Sequence, residues 1–307
     1  MKIIFMGNSE IACPILNALK KSKHQILSVV SNSPKALGRG MTYQYTPVGK
    51  LANKLDLKLI SVDSLKNKQF ISTIEKLQAD IFVVVAFRIL PSLLLSLTNK
   101  GAMNLHASLL PKYRGAAPIQ HAILNGDSET GISTFIIDKN LDTGPILLQK
   151  KISISNQDNF DTLSKKISDE GPVLILKSLD LLEKDNYKLF SQLDKEASYA
   201  PKILKNELLI DWAQTANQIN NRVRALSYSG VFTFINGKRI KLYKTRVHEN
   251  NISSNPGRIS IIDKKKVFIS CAKDDLELIE VQIENKSRML TSEWIKGAQI
   301  KTGDYFG

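Results

Sequence analysis

The sequence predicts an α/β protein: a Rossmann-like, doubly wound, mostly parallel sheet followed by a smaller OB-like β-barrel domain. Three observations carry this expectation. Short apolar runs alternate with helix-period segments in the first half, a long helix-period segment closes that half, and short strand-like runs separated by turn residues fill the remainder. With 307 residues, 43% hydrophobic and 23% charged, the chain is long enough for two cores, and its composition excludes collagen-like, disordered and small disulfide-framework classes.

Ile3 to Met6 reads as the first strand, Ile11 to Lys20 as the helix after it, and Ile26 to Ser31 as the second strand. Ile81 to Ala86 is a wholly apolar run of the kind buried on both faces of a parallel sheet, and Met103 to His106 is a strand with a polar end. Right-handed crossovers would place a site at the carboxyl ends of these strands. The first strand-to-helix turn holds one glycine, Gly7, followed by Asn8 and Ser9. It lacks the spaced glycines through which a pyrophosphate approaches the backbone, which argues against a nicotinamide dehydrogenase. Asn32 to Pro47, with Gly38-Arg39-Gly40 at its middle, reads as a long polar loop beside that turn.

Phe160 to Glu183 has the period of one long helix, and periodicity weakens from Lys184 to Ser198. The expected organisation is a first domain over residues 1–184, a linker over 185–203 and a second domain over 204–307. In the second, Thr215 to Leu226 reads as a helix. Val231 to Ile235, Arg239 to Arg246, Gly257 to Ile262, Val267 to Ser270 and Leu276 to Ile283 alternate as strands around turn residues such as Asn236-Gly237 and Pro256-Gly257. Small five-stranded barrels commonly bind oligonucleotides, an association of fold and not of site.

Lys and Arg number 43 against 29 Asp and Glu, a formal +14 that suits a polyanionic partner; a coding bias toward lysine is the alternative. Lys238, Arg239, Lys241, Lys244 and Arg246 cluster around one hairpin and Lys264-Lys265-Lys266 marks another turn. Phosphate contact is the role this clustering suggests, a solvated surface being the alternative for each lysine alone. Cys13 and Cys271 stand far apart without partners at ligand spacing, so neither a disulfide scaffold nor a metal site is expected. The opening apolar run is too short for a signal peptide, and no stretch approaches the roughly 20 apolar residues of a membrane span. A cytoplasmic, membrane-free setting is expected, as is a monomer.

The most informative stretch is Asn104-Leu105-His106-Ala107-Ser108-Leu109-Leu110-Pro111, at the end of an expected strand. Side chains alternate along a strand, so Asn104 and His106 share a side. An amide donor beside an imidazole suits acyl transfer, since the amide stabilises a developing oxyanion and the histidine moves protons near neutral pH. A satisfied histidine beside a structural asparagine is the alternative. Leu141-Asp142-Thr143-Gly144-Pro145 supplies a carboxylate that could orient the histidine and favour its charged form; an ordinary turn former is the alternative there, and spacing does not bring Asp142 to His106.

The segment Asn104 to Gln120, NLHASLLPKYRGAAPIQ, with LDTGPI downstream, resembles the folate-dependent formyltransferases, and its Arg-Gly-Ala-Ala-Pro-Ile-Gln ending is similar to the methionyl-tRNA branch of that family. The similarity runs nearly end to end, through Gly38-Arg39-Gly40, Ala200-Pro201-Lys202-Ile203, Ile210-Asp211-Trp212, Asn236-Gly237-Lys238-Arg239 and Lys286-Ser287-Arg288-Met289. The resemblance implies Asn104, His106 and Asp142 as a catalytic trio. It implies 10-formyltetrahydrofolate as formyl donor, without a metal, lying along Ser108, Leu109, Leu110 and Pro111. Phe87, Arg88, Ile89 and Leu90 and the Asp138 to Asp142 loop would line the pterin pocket. It further implies methionyl initiator tRNA as acceptor, met by Arg39 and by a carboxyl-terminal domain carrying Lys238, Arg239 and Lys241.

The chain departs from the family pattern at four places: Phe87-Arg88 before Ile-Leu-Pro, Met41-Thr42 after Gly38-Arg39-Gly40, Asn8-Ser9 after the first glycine, and Ser229-Gly230-Val231. None touches the trio. A formyltransferase for an amino sugar or for glycinamide ribonucleotide is the first alternative, and a non-catalytic RNA-binding protein the second.

Overall fold

A computed structural model describes every residue except 38–40, 251–254 and 264. The chain divides into two compact units. One holds Met1–Pro118, Glu129–Ser153 and Ser164–Ala200; the other holds Ile119–Ser128, Ile154–Leu163 and Pro201–Gly307.

The elements run β1 (Lys2–Gly7), α1 (Cys13–Lys20), β2 (Gln25–Asn32), β3 (Lys35–Leu37), β4 (Thr42–Gln44), α2 (Pro47–Lys54), β5 (Leu59–Val62), α3 (Lys68–Lys76), β6 (Ile81–Val85), α4 (Ser92–Leu95) and β7 (Ala102–His106). There follow α5 (Pro118–Leu124), β8 (Glu129–Ile136), β9 (Ile146–Ser153) and α6 (Phe160–Glu183). The first unit is built on a seven-stranded sheet of order β5-β2-β1-β6-β7-β8-β9. The first five are parallel neighbours, while β8 and β9 join antiparallel. The chain fills the β2 side of β1 and then crosses to β6, which makes the β1–β6 edge the topological switch point where such sheets place ligands.

Ile3 to Met6 of β1 and all of β6 are buried, as the continuous apolar runs require of central parallel strands. Each such side chain contributes about 1.5–3 kcal/mol on leaving water. The helices begin where the sequence supplies caps: Thr46 accepts from the Gly49 amide ahead of Pro47, and Asn67 accepts from Phe70. The expected helix from Ile11 starts later, at Cys13, after a 3₁₀ turn at Glu10–Ala12, because Pro14 lacks a donor and occupies the first helical turn. Part of the expected loop 32–47 is a hairpin, with Lys35, Ala36 and Leu37 opposite Gln44, Tyr43 and Thr42. Gly38, Arg39 and Gly40 lie outside the described residues.

In the second unit come α7 (Ala216–Ala225), β10 (Val231–Ile235), β11 (Lys238–His248), β12 (Ile259–Ile262), β13 (Val267–Ser270), β14 (Asp275–Ile283), β15 (Met289–Leu290) and α8 (Thr291–Trp294). The strands form an antiparallel sheet of order β10-β11-β14-β13-β12, with β15 on β14. Thr215 and Gln218 close a reciprocal cap on α7. Among the described residues, no helix is long and apolar enough to cross a membrane, and no group of three or more His, Cys, Asp or Glu could hold a metal ion.

Candidate active site

β7 lies between β6 and β8, with Asn104 opposite Val84 on one side and Phe135 on the other. Strand alternation puts Asn104 and His106 on one side of the sheet, and His106 is the last residue of the strand. Asn104 is half-buried and its carboxamide makes no hydrogen bond to another described residue. His106 is buried, with Nε2 2.8 Å from the Tyr113 carbonyl oxygen. A carbonyl only accepts, so Nε2 carries the proton and Nδ1 is left facing Asp142, whose Oδ2 is 3.6 Å away. That separation is outside hydrogen-bond range. The ring's orientation is therefore set by Tyr113, with Asp142 as its charged neighbour.

Asp142 comes from the β8–β9 connection. The Gly115 amide donates to Asp142 Oδ2 at 2.9 Å, and the Gln192 carboxamide donates to the Asp142 and Gly144 carbonyls at 2.9 and 2.7 Å. Thr143 Oγ1 donates to the Asp138 carboxylate, which also accepts from the Asn140 amide, so the turn is closed from within. Gly144 is obligatory: a Cβ there would lie 1.8 Å from the Ile136 carbonyl oxygen. Gly115 has φ +128°, and a Cβ would meet the Ala200 carbonyl oxygen at 2.6 Å. Two separate stretches of chain thus bring His106 and Asp142 together.

The remaining expected folate contacts fall into three groups. Ser108 is fully buried and its hydroxyl donates to the Lys112 carbonyl, while Leu110 is buried against Phe135 and Ile146. These two shape the loop after β7. Ser133 supports it from β8, donating to the Ser108 carbonyl and accepting from the Leu110 amide, and Gln149 donates to the Leu110 carbonyl. Leu109 and Pro111 are half-buried. On the loop after β6, Phe87 is half-buried, Ile89 is 76% exposed and Leu90 is buried. Arg88 turns its guanidinium onto the Val62 and Asp63 carbonyls, at 3.0 and 2.7 Å, and lies 5.4 Å from the Phe87 ring centre. Burial pulls that guanidinium below its ordinary pKa, opposed by Asp63.

In the second unit, Lys238 and Arg239 are exposed, and Arg239 sits 5.9 Å from the Phe232 ring centre. Lys241 is half-buried, its Nζ donating to the Ser229 carbonyl at 2.9 Å. Arg39 lies outside the described residues. Sequence reasoning assigned no role to Tyr113, Arg114, Gly115 or Gln192. The first three were in view within the Asn104 to Gln120 segment, but Tyr113 and Gly115 act through backbone groups. Gln192 sits in the stretch where periodicity fails.

A doubly wound sheet with a histidine and carboxylate at its carboxyl edge, followed by a separate antiparallel sheet, matches a known class. The chain belongs to the formyl transferase family: the family model "Formyl transferase" matches residues 1–179 and "Formyl transferase, C-terminal domain" matches residues 202–299. Full-length relatives narrow this to the methionyl-tRNA formyltransferases. The chain is 38% identical over 306 residues to the methionyl-tRNA formyltransferase of Caldanaerobacter subterraneus subsp. tengcongensis, covering 99% of each. It is 40% identical over 303 residues to that of Thermodesulfovibrio yellowstonii, covering 98% of this chain and 97% of the relative. Two solved structures share the fold. A sugar 3N-formyl transferase, WlaRD, solved with dTDP and 5-N-formyl-THF, has a TM-score of 0.68 at 23% identity over 94% of this chain and 99% of that one. HypX from Aquifex aeolicus with tetrahydrofolic acid has a TM-score of 0.67 at 14% identity, over 100% of this chain and 50% of that one.

Proposed function

We propose that this chain moves the formyl group of 10-formyltetrahydrofolate onto the free α-amino group of methionine esterified to initiator tRNA. The observation that carries the reading is the His106–Asp142 pair at the end of β7, in a chain whose full-length relatives bear that enzymatic name. The unprotonated amine attacks the formyl carbon and the carbonyl oxygen takes up negative charge. The bond from that carbon to the folate nitrogen then breaks, as this nitrogen receives the proton the amine gives up. Asn104, with its carboxamide unengaged, donates to the oxyanion; removing such a donor costs about 2.7–4 kcal/mol. His106 keeps a proton on Nε2 through Tyr113, so Nδ1 is the nitrogen that gains and loses one, a contribution of about 10²–10⁴ in rate. Asp142 balances the imidazolium charge that forms.

The folate substrate is held between the loop after β6 and the loop after β7, with the 138–142 turn completing the pterin pocket. Phe87, Ile89, Leu109 and Pro111 are apolar groups suited to a flat ring, and Ser108, Leu110 and Leu90 hold their loops in shape. Arg88 is engaged by backbone carbonyls, so this departure from the family pattern adds no free charge at the pocket edge. Asp138 keeps the turn closed through Thr143.

The tRNA is held by Arg39, by Lys238 at the start of β11 and by one face of β10 and β11, where Phe232 and Phe234 stand opposite Lys241 and Arg239. Rings interleaved with cations suit stacking and phosphate contact. The second unit is read as an OB-like barrel. Supporting closure, Tyr305 bridges Arg258 ahead of β12 while Phe306 bridges Ile235 of β10, spanning the two ends of the strand order. The functional division is 1–184, 185–203 and 204–307, with one chain sufficing in the cytoplasm. Within that linker, Phe190 to Ala200 is bonded to catalytic-unit backbone at Ile146 and Arg114.

Purified protein, 10-formyltetrahydrofolate and charged initiator tRNA are expected to give formylmethionyl-tRNA, with elongator methionyl-tRNA and free methionine much poorer acceptors. Preferential formylation of an amino-sugar nucleotide or of glycinamide ribonucleotide would overturn the assignment.

A further inference from the structure

We infer that Gln192 is a positioning residue for formyl transfer, acting through Asp142 and itself oriented by Arg114. The inference rests on the role given to Asp142 above. The Arg114 guanidinium is 3% exposed, and its Nε donates to Gln192 Oε1 at 3.0 Å while Nη1 meets Asp194 Oδ1 at 2.9 Å. Because arginine only donates, this contact fixes which end of the Gln192 amide faces which way. The NH₂ end is left to bridge two carbonyls, those of Asp142 and Gly144.

The clamp falls where the backbone needs it. Asp142 has φ +54°, a left-handed conformation that a non-glycine residue holds only when its surroundings impose it. Its carboxylate is aimed by the Gly115 amide, one residue from Arg114, and the Tyr113 carbonyl on the other side of Arg114 holds His106. Residues 113 to 115 thus hold the imidazole directly and the carboxylate directly, and they hold the Asp142 backbone through Gln192. Two of these residues also pair with the connecting segment: Arg114 N–H donates to the Ser198 carbonyl and Ala200 N–H to the Arg114 carbonyl, while Tyr113 N–H donates to Ser198 Oγ at 2.9 Å. Gln192 and this pairing make the segment after α6 a structural part of the site.

The test compares Gln192→Ala with Gln192→Glu. For Gln192→Ala, kcat is expected to fall by on the order of tenfold to a hundredfold, the cost of a small displacement of a reacting group. KM for folate and for tRNA should stay within about twofold, as expected when an interaction serves the transition state alone. Exchange of the Gly115 amide hydrogen should quicken, since the carboxylate it donates to is released. Gln192→Glu keeps the size but sets acceptor oxygens against two carbonyls. It should lose at least as much activity as alanine, and the loss should ease as pH falls and the new carboxyl becomes a donor. A side chain that only fills space gives the reverse order, Glu near the parent and Ala defective; that order, unchanged kcat in Gln192→Ala, or unchanged Gly115 exchange overturns the proposal. If Gln192→Ala does not fold, the isosteric Glu variant and its pH dependence decide alone. Asp142→Asn separates the two readings. Full activity there retires the carboxylate's role, whereas an inactive Asp142→Asn beside an unimpaired Gln192→Ala retires Gln192.

Discussion

His106 touches one backbone carbonyl and faces one carboxylate, so the consequences of mutation differ among its neighbours. Asn104→Ala removes a donor that nothing else in the strand replaces, and single-turnover formylation is expected to fall about 10²–10³-fold with tRNA affinity unchanged. Near-parent turnover would move the oxyanion donor elsewhere. Gly144→Ala forces a Cβ to within 1.8 Å of the Ile136 carbonyl oxygen, so the Asp142 turn must rebuild. Lower activity together with a lower melting temperature is expected, and an unshifted melting curve would show that the turn is looser than its hydrogen bonds imply. Asn104, His106 and Asp142 were candidates by side-chain chemistry at a strand end and a turn, and it was the family resemblance that singled them out as a trio. Tyr113 and Gly115 were not candidates, because the groups they contribute are a carbonyl and an amide that every residue carries. Only the fold shows where those point.

Elements were legible where one signal dominated. Ile81 to Ala86 read as a buried strand because no polar residue interrupts it, and the structure ends it one residue earlier, at Val85, since Ala86 has a φ of +47° that turns the chain away. Phe160 to Glu183 read correctly despite Pro172, since its apolar period continues through that residue. The β3–β4 hairpin was missed because strands of three residues carry too few alternations to register, and β15 is shorter still. The β13–β14 turn carries a pH dependence. Burial first, then Asp275 and Asp274, push the Cys271 thiol up to about 12 from an ordinary 9.0. Between those values the unfolded chain loses a proton the folded chain keeps, so stability is full below about 9 and declines as pH rises toward 12, by at most about 1.4 kcal/mol per pH unit. Urea denaturation of Cys271→Ala should show a flatter profile across that window. An identical slope in parent and variant would mean the thiol is not protected.

Over the whole molecule the net charge of +14 sets how it meets a polyanion, but the structure separates cations that are available from cations that are engaged. Lys238 is exposed, whereas Lys241 donates to the Ser229 carbonyl and Arg88 to two carbonyls. Counting lysines therefore overstates the contact surface, and the salt dependence of tRNA binding measures the true one. For a protein making about 6–10 phosphate contacts, affinity falls roughly 10³–10⁵-fold between about 50 and 200 mM salt on duplex-type lattices. A steep slope is expected here. Lys238→Ala should lower affinity and reduce the slope by about one ion while leaving the melting temperature in place. Lys241→Ala should instead lower the melting temperature, since the Ser229 carbonyl loses its 2.9 Å donor and is left with the Tyr243 hydroxyl at 3.5 Å, and shift the slope less. If both variants change the slope equally and neither changes stability, Lys241 is as available to phosphate as Lys238 and the contact that holds Lys241 has no part in the fold.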